Sequence, residues 1–274
     1  MKKFNKIFTI IVFVFLYAPI VLLIIASFSG GRGLNDLRDF SFHQYRELFR
    51  DRGLMQSMLN SLLIAVLSSL IATVLGTMAA VGIHSMGKKM RSVVMSVTNI
   101  PMINPDIVTG ISLALLFVFF GRMFRINNIM GVFTILIAHI TFNLPYVILS
   151  VMPKLRQLNK HLTEAALDLG CPPAKAFFKV VLPEIMPSII SGGLMAFTMS
   201  LDDFVISYFV SGATFETLPV QIYTYTKKPL PGRIYALFAV LFTLILLVML
   251  LMNLLQLRET QRRNRKLVMP TNDL

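Results

Sequence analysis

The chain has 274 residues, of which 55% are hydrophobic and 14% are charged, and its formal net charge is +13. A soluble domain usually has about a quarter of its residues charged, so this composition excludes an ordinary soluble domain and indicates an integral membrane protein. The basic excess does not indicate a nucleic-acid-binding protein, because Lys and Arg lie mostly between apolar blocks and at the termini.

Six apolar blocks follow one another, each about as long as a helix that crosses the hydrocarbon core. The first follows the basic start MKKFNK, and its apolar core is too long for a cleaved signal peptide. The predicted membrane helices cover residues 7–28, 57–83, 93–120, 130–152, 185–210 and 234–257. The sequence therefore predicts an all-α membrane protein with six transmembrane helices in a single domain over residues 1–274.

The basic residues predict that both termini are cytoplasmic. Cytoplasmic loops carry an excess of Lys and Arg, and the majority of the 26 such residues lie in the segments that would then face inward. On the outward side, FSFHQYRELFRD has apolar residues at helical spacing, which predicts a short interfacial helix. The four histidines, His43, His84, His139 and His161, are scattered without the spacing of metal ligands.

The longest inward segment, residues 153–184, predicts a helix, a turn and a second helix. Apolar residues recur at helical spacing in HLTEAALDLG, and Gly170 suits a helix stop because it tolerates positive φ. Pro172 and Pro173 favour the start of a second helix, which we expect to end before Pro183. The residues alone leave open whether the first helix docks on a partner or lies on the membrane surface.

Acidic residues inside the apolar blocks indicate a polar interior. Pro101 and Pro105 each interrupt a possible helix, so Asp106 is expected to line a cavity rather than face lipid. Asp202 and Asp203 are neighbours, and neighbours on a helix point about 100° apart. One of the two is therefore expected to line a pathway, with Asp203 favoured, while the other makes a structural contact.

The inward segment carries the most specific pattern in the chain. EAALDLG followed by VVLPEIMPSI is similar to the EAA loop of ATP-binding-cassette (ABC) importer permeases. The residues that match the family pattern are Glu164, Ala165, Ala166, Gly170, Leu182 and Pro183. This sequence departs from the family pattern at CPP, directly after Gly170, where small or polar residues are usual. We expect this difference to alter the turn but not the docking of the loop on a partner.

Segments along nearly the whole chain, including NIPMINPDIVTGISLALLF and SLDDFVISYFVSG, resemble the spermidine/putrescine permease subunits, specifically the second permease of the pair. The resemblance implies a type I ABC importer permease fold in the bacterial cytoplasmic (inner) membrane. It implies that residues 153–184 dock into a groove on an ATPase subunit, as a coupling loop. The implied partners are two ATPase subunits, a second permease and an extracytoplasmic polyamine-binding protein.

The chain lacks a Walker A pattern, so we expect a transport subunit rather than an enzyme. No cofactor is expected in this chain, since ATP and magnesium would be bound by the partner ATPases. No catalytic residue, metal ligand or nucleic-acid partner is predicted.

A polyamine pathway needs spaced carboxylates and aromatic walls. The candidate pathway residues are Asp106, Asp203, Asp202, Tyr208 and Tyr223, with Asp106 the strongest. One alternative is an importer for another solute, such as ferric ion or a small anion, which keeps the EAA loop but changes the acids. A stand-alone carrier or channel is the other alternative, and it leaves the EAA loop unexplained.

Overall fold

The computed structural model describes residues 2–30, 40–126, 128–213, 215–227 and 230–268. Within these ranges the regular structure is helical, apart from one isolated bridge between Ser29 and Phe40. The helices are α1 (Lys2–Ser27), α2 (His43–Arg50), α3 (Arg52–Ser85), α4 (Lys88–Ile103), α5 (Asp106–Met123), α6 (Val132–Gln157), α7 (Lys160–Asp168), α8 (Pro173–Ala176), α9 (Leu182–Asp202), α10 (Val205–Val210), α11 (Leu218–Thr226) and α12 (Gly232–Val268). A π-helical turn, Phe177–Val181, joins α8 to α9.

Six of the described helical segments are long and apolar enough to cross a membrane. They are Phe4–Ser27, Arg52–Ser85, Asp106–Met123, Val132–Gln157, Pro173–Asp202 and Gly232–Leu250. A helix of 18 residues, the shortest of these, is about 27 Å long, close to the thickness of the hydrocarbon core. The prediction of an all-α protein with six membrane-spanning helices is confirmed.

The predicted third helix consists of two helices. Asn104 has an extended backbone with ψ of 134°, and Pro105 precedes the first residue of α5. A proline disfavours the helical conformation in the residue before it, so the break falls at Asn104. The predicted interruption at Pro101 is wrong, because α4 continues through Pro101 to Ile103.

Residues 153–184 contain the predicted helix, turn and second helix, but the second helix does not end before Pro183. Gly170 has φ of +77°, and α8 then starts at Pro173. The π-helical turn carries the chain through Pro183 into α9, with the Leu182 N–H donating to the Phe177 carbonyl oxygen, five residues back. A wider π turn relieves the clash between a proline ring and the carbonyl of the preceding α-helical turn.

Two segments that are predicted to face outward are also helical. The short helix predicted in FSFHQYRELFRD is confirmed as α2. The segment after the fifth span contains α11, a helix of nine residues.

The chain divides into two compact units, and the first comprises Met1–Met55 and Tyr225–Leu274. Within this unit, the Ser27 hydroxyl lies 2.8 Å from the Tyr45 hydroxyl. Asp51 and Arg233 form an ion pair at 3.2 Å. These contacts connect α1 to α2 and the end of α2 to the start of α12.

The second unit, Gln56–Thr224, is built around α6. Its core contains apolar side chains from α3, α6 and α9, among them Ala72, Val147, Val151, Ile185 and Ala196. Glycines and other small residues let these helices approach closely, which matters in lipid because the hydrophobic effect does not drive helices together there. A Cβ atom added at Gly76 of α3 would lie 2.8 Å from Val147 Cβ of α6.

The close contact of α3 with α6 predicts that Gly76→Ala destabilises the protein. The added methyl group overpacks the interface, which typically costs about 1–3 kcal/mol, and this exceeds the gain of up to about 1 kcal/mol from replacing a helical glycine. Thermal unfolding of the full chain in detergent, followed by circular dichroism, measures the change. Gly82→Ala on the same helix is the matched control, since a Cβ atom there meets nothing within 4 Å. Equal unfolding midpoints for the two variants would contradict the prediction.

Candidate functional site

A break in the helix path separates α9 from α10. α9 ends at Asp202, and Asp203 has an extended backbone with φ of −65° and ψ of 116°. The Asp203 carboxylate accepts hydrogen bonds from the backbone N–H groups of Ile206, at 3.2 Å, and Ser207, at 2.8 Å. These N–H groups belong to the first turn of α10, where no preceding helical turn accepts them. Asp203 therefore supplies acceptors that lipid cannot offer.

The same carboxylate belongs to a buried polar cluster around His139 of α6. His139 is 1% exposed, and its Nε2 atom lies 3.3 Å from Asp203 Oδ2 and 3.1 Å from Ser207 Oγ. Its Nδ1 atom lies 2.6 Å from Ser200 Oγ, which is also 2.9 Å from Ser68 Oγ. These five residues, the His139 cluster, connect α3, α6, α9 and α10.

The sequence patterns did not indicate the His139 cluster, because its members come from four parts of the chain. One signal was available: His139 lies within an apolar span, and an ionisable residue at membrane depth needs a partner. Over the part of the chain that the structure describes, no group of three or more His, Cys, Asp or Glu side chains is placed to hold a metal ion.

Asp202 and Asp203 have opposite environments. The Asp203 side chain is 7% exposed and faces His139, whereas Asp202 is exposed. Asp202 is therefore the exposed carboxylate of the pair and Asp203 the buried one. The Asp203 carboxylate makes a structural contact with the start of α10, and the pathway roles of both aspartates stay predictions.

Three aromatic rings come together beside the break. The ring centroid of Phe204 lies 4.7 Å from that of Tyr223 and 5.5 Å from that of Tyr208. The two tyrosine rings are 6.2 Å apart, and the residues are 52% (Tyr208) and 43% (Tyr223) exposed. The structure thus brings both predicted tyrosines together and adds Phe204, which the sequence did not single out. We call these three residues the aromatic cluster.

Asp106 is the first residue of α5 and is exposed. Gly110, four residues further along α5, packs against α10: an added Cβ atom there would lie 3.0 Å from Phe209 Cδ2 and 3.4 Å from Ile206 Cα. Four residues correspond to about 6 Å along a helix axis. Asp106 and the Asp202–Asp203 break therefore lie about one helical turn from the same contact between α5 and α10.

The first three residues of the EAA pattern, Glu164, Ala165 and Ala166, lie on α7. Glu164 is exposed, and its Oε2 atom lies 3.0 Å from His161 Nδ1. Ala165 is exposed and Ala166 is half-buried, while Leu169 is 88% exposed.

The helix ends as the sequence predicts, at a glycine with positive φ. The Gly170 N–H donates to Leu167 O and the Cys171 N–H to Ala166 O, which is the bond pattern of a glycine-terminated helix. Leu182 and Pro183, the last two residues of the motif, are the first two residues of α9.

Comparison with known proteins identifies the family. The family model described as "Binding-protein-dependent transport system inner membrane component" matches residues 72–261. The chain is 39% identical over 230 residues to the putrescine transport system permease protein PotI of Escherichia coli (strain K12), covering 84% of this chain and 82% of that protein. It is 34% identical over 234 residues to the spermidine/putrescine transport system permease protein PotC of Haemophilus influenzae, covering 85% and 89%.

A solved structure has the same fold at low sequence identity. A chain of a bacterial ABC transporter involved in the import of the acidic polysaccharide alginate superimposes with a TM-score of 0.65 at 16% identity, covering 93% of this chain and 96% of that chain. The chain therefore belongs to the family of binding-protein-dependent transport system inner membrane components.

Proposed function

We propose that the chain is the second permease subunit of an ATP-driven importer for polyamines, with spermidine or putrescine as the substrate. The observation that carries the proposal is the presence of two exposed carboxylates, Asp106 and Asp202, about one helical turn from the contact between α5 and α10. The exposed rings of Tyr208 and Tyr223 lie beside the break at Asp203. The relatives named for putrescine and for spermidine/putrescine transport support the same substrate class.

The chemistry of a polyamine fits this arrangement. A polyamine carries ammonium groups separated by short alkyl chains, so it needs several carboxylates that are spaced apart. Asp106 and Asp202 provide exposed carboxylates on two different helices. Tyr208 and Tyr223 provide ring faces, and a cation over such a face gains about 0.5–2 kcal/mol.

Asp203 acts as a positioning residue in this proposal. Its carboxylate fixes the start of α10 and the orientation of the His139 cluster. The chain direction at the break then determines where the Asp202 carboxylate and the Phe204 ring point. Asp203 contributes to recognition through these neighbours and does not contact the substrate.

The remaining subunits supply energy and substrate. With both termini in the cytoplasm, Glu164, Ala165, Ala166 and Gly170 face an ATPase subunit, and Leu182 and Pro183 continue the segment into α9. Two ATPases bind ATP and magnesium, a second permease completes the pathway, and an extracytoplasmic protein delivers the polyamine. Closure of the ATPases opens the pathway outward, and hydrolysis returns it to the inward-open state.

Replacing the exposed aspartate tests the substrate class. In vesicles that contain all subunits, Asp202→Asn should lower spermidine-stimulated ATP hydrolysis about tenfold or more, since a charge-assisted hydrogen bond contributes about 1.5–3 kcal/mol. Asp202→Glu keeps the charge and should retain most of the activity. Stimulation by ferric ion rather than spermidine would refute the polyamine assignment.

The positioning role of Asp203 is tested by stability rather than transport. Asp203→Ala leaves two backbone N–H groups of α10 without acceptors, which should destabilise the protein by about 2–4 kcal/mol. Asp202→Ala, at an exposed position, should change stability by no more than about 0.5 kcal/mol. Thermal unfolding of the two full-length variants in detergent gives the comparison, and equal midpoints would remove the positioning role.

The docking role of the EAA segment predicts that Glu164→Lys uncouples the ATPase. The reversed charge faces the partner surface, so ATP hydrolysis in vesicles should lose most of its dependence on spermidine while the permease remains folded. The matched control is Glu47→Lys on α2, because Glu47 also pairs with a histidine, His43, at 3.3 Å. Normal coupling in Glu164→Lys would contradict the docking role.

A further inference from the structure

Two adjoining hollows lie between α4 and α6. The first, of about 270 Å³, is lined by polar and basic side chains and by Met95; the polar and basic ones are Lys88, Arg91, Ser92, Ser96, Asn99 and Arg156. The second, also of about 270 Å³, is lined largely by apolar groups, among them Met95, Leu149, Met152 and Pro153. We call them the basic hollow and the apolar hollow. Met95 and Arg156 line both, so the two hollows adjoin each other.

The basic hollow concentrates positive charge that no acid neutralises. Among the described residues, no Asp or Glu lines either hollow, and neither Lys88 nor Arg156 has an acidic partner. Bringing three cations together is unfavourable unless an anion binds between them. The hollow therefore has the electrostatic character of an anion site.

The basic hollow also has a fixed cation and neutral donors. The Arg91 guanidinium donates to the backbone carbonyl oxygens of Ile83, at 3.2 Å, and Met86, at 3.0 Å, and also to that of His84, so it is held against the end of α3. Ser92 and Ser96 are one turn apart on α4, and their hydroxyl groups face the same side of that helix as residues three or four apart do. Arginine, lysine and hydroxyl groups are common ligands of phosphate oxygens.

The position of the hollows favours a lipid as the source of the phosphate. The membrane-spanning segments that flank them end at Ser85 and Gln157, so the basic hollow lies near the membrane boundary, where phospholipid headgroups are found. Basic pockets between membrane helices at this level bind anionic headgroups. The apolar hollow beside it gives space for the glycerol backbone and the first part of an acyl chain.

We propose that the groove between α4 and α6 binds an anionic phospholipid, with its phosphate between Lys88, Arg91 and Arg156 and its acyl chain against Met95 and Leu149. Such a lipid bridges α4 to α6. Since α4 leads directly through Asn104 and Pro105 to Asp106, the bound lipid holds the element that precedes this exposed carboxylate.

The proposal is tested by lipid binding to the delipidated full-length chain, followed by native mass spectrometry. The probes are phosphatidylglycerol, phosphatidylcholine with the same acyl chains, and inorganic phosphate as a competitor. Phosphatidylglycerol should bind about tenfold more tightly than phosphatidylcholine, and the double variant Lys88→Gln/Arg156→Gln should lose this preference. The double variant Lys89→Gln/Lys154→Gln removes the same charge from the same two helices outside the hollows and should keep it.

Each other outcome overturns the proposal. Equal binding of the two lipids removes the anion selectivity, and an equal loss in the Lys89→Gln/Lys154→Gln control assigns it to general surface charge. Displacement of phosphatidylglycerol by millimolar inorganic phosphate identifies free phosphate as the occupant. Loss of ATPase association in Lys88→Gln/Arg156→Gln, without a lipid preference in the original chain, identifies the groove as a protein contact.

Discussion

The contact between the Asp203 carboxylate and the start of α10 allows the helix path to break within the membrane region. A break leaves backbone N–H groups without partners, and lipid offers none. Asp203 satisfies two of these groups while His139 holds the carboxylate from α6. Because the acceptors for these N–H groups come from Asp203 itself, its neighbours are not needed for that purpose. Asp202 is exposed, and Phe204 packs against the ring of Tyr223. The position of the exposed Asp202 carboxylate thus depends on the buried Asp203 carboxylate beside it.

One continuous helical path connects this break to the EAA segment. It begins at Pro173, passes through the π-helical turn and ends at Asp202, which is about 45 Å of helix at 1.5 Å per residue. Gly192 and Gly193 keep this path close to α6 and α3, since a Cβ atom added at Gly192 would lie 3.1 Å from Ser150 Cβ and one at Gly193 2.8 Å from Thr73 Oγ1. A stiff, closely packed element of this kind transmits displacement better than a loop does. Under the proposed function, ATPase movement reaches the break through a single helix.

Sequence patterns indicate the six spans, the turn at Gly170 and a difference in role between Asp202 and Asp203. These features are local, since they follow from helix length, from positive φ and from the 100° step between helical neighbours. Which of the two aspartates is exposed does not follow from the local sequence. It depends on His139, which lies 64 positions earlier in the chain, and a pattern within one helix carries no information about such a partner. The two prolines of this region also have different effects. Pro101 lies within the last turn of α4, whereas Pro105 prevents Asn104 from continuing that helix.

Net charge alone does not indicate the function of this chain. The excess of Lys and Arg indicates orientation in the membrane, as basic loops generally do, yet the structure divides those residues into groups with different surroundings. Arg233 pairs with Asp51. Lys88, Arg91 and Arg156 line a hollow without an acid, where backbone carbonyl groups at the end of α3 hold Arg91 in place. Only the last arrangement leaves positive charge uncompensated next to an apolar hollow. An uncompensated charge at the membrane boundary is where an anionic ligand lowers the free energy of the folded protein most.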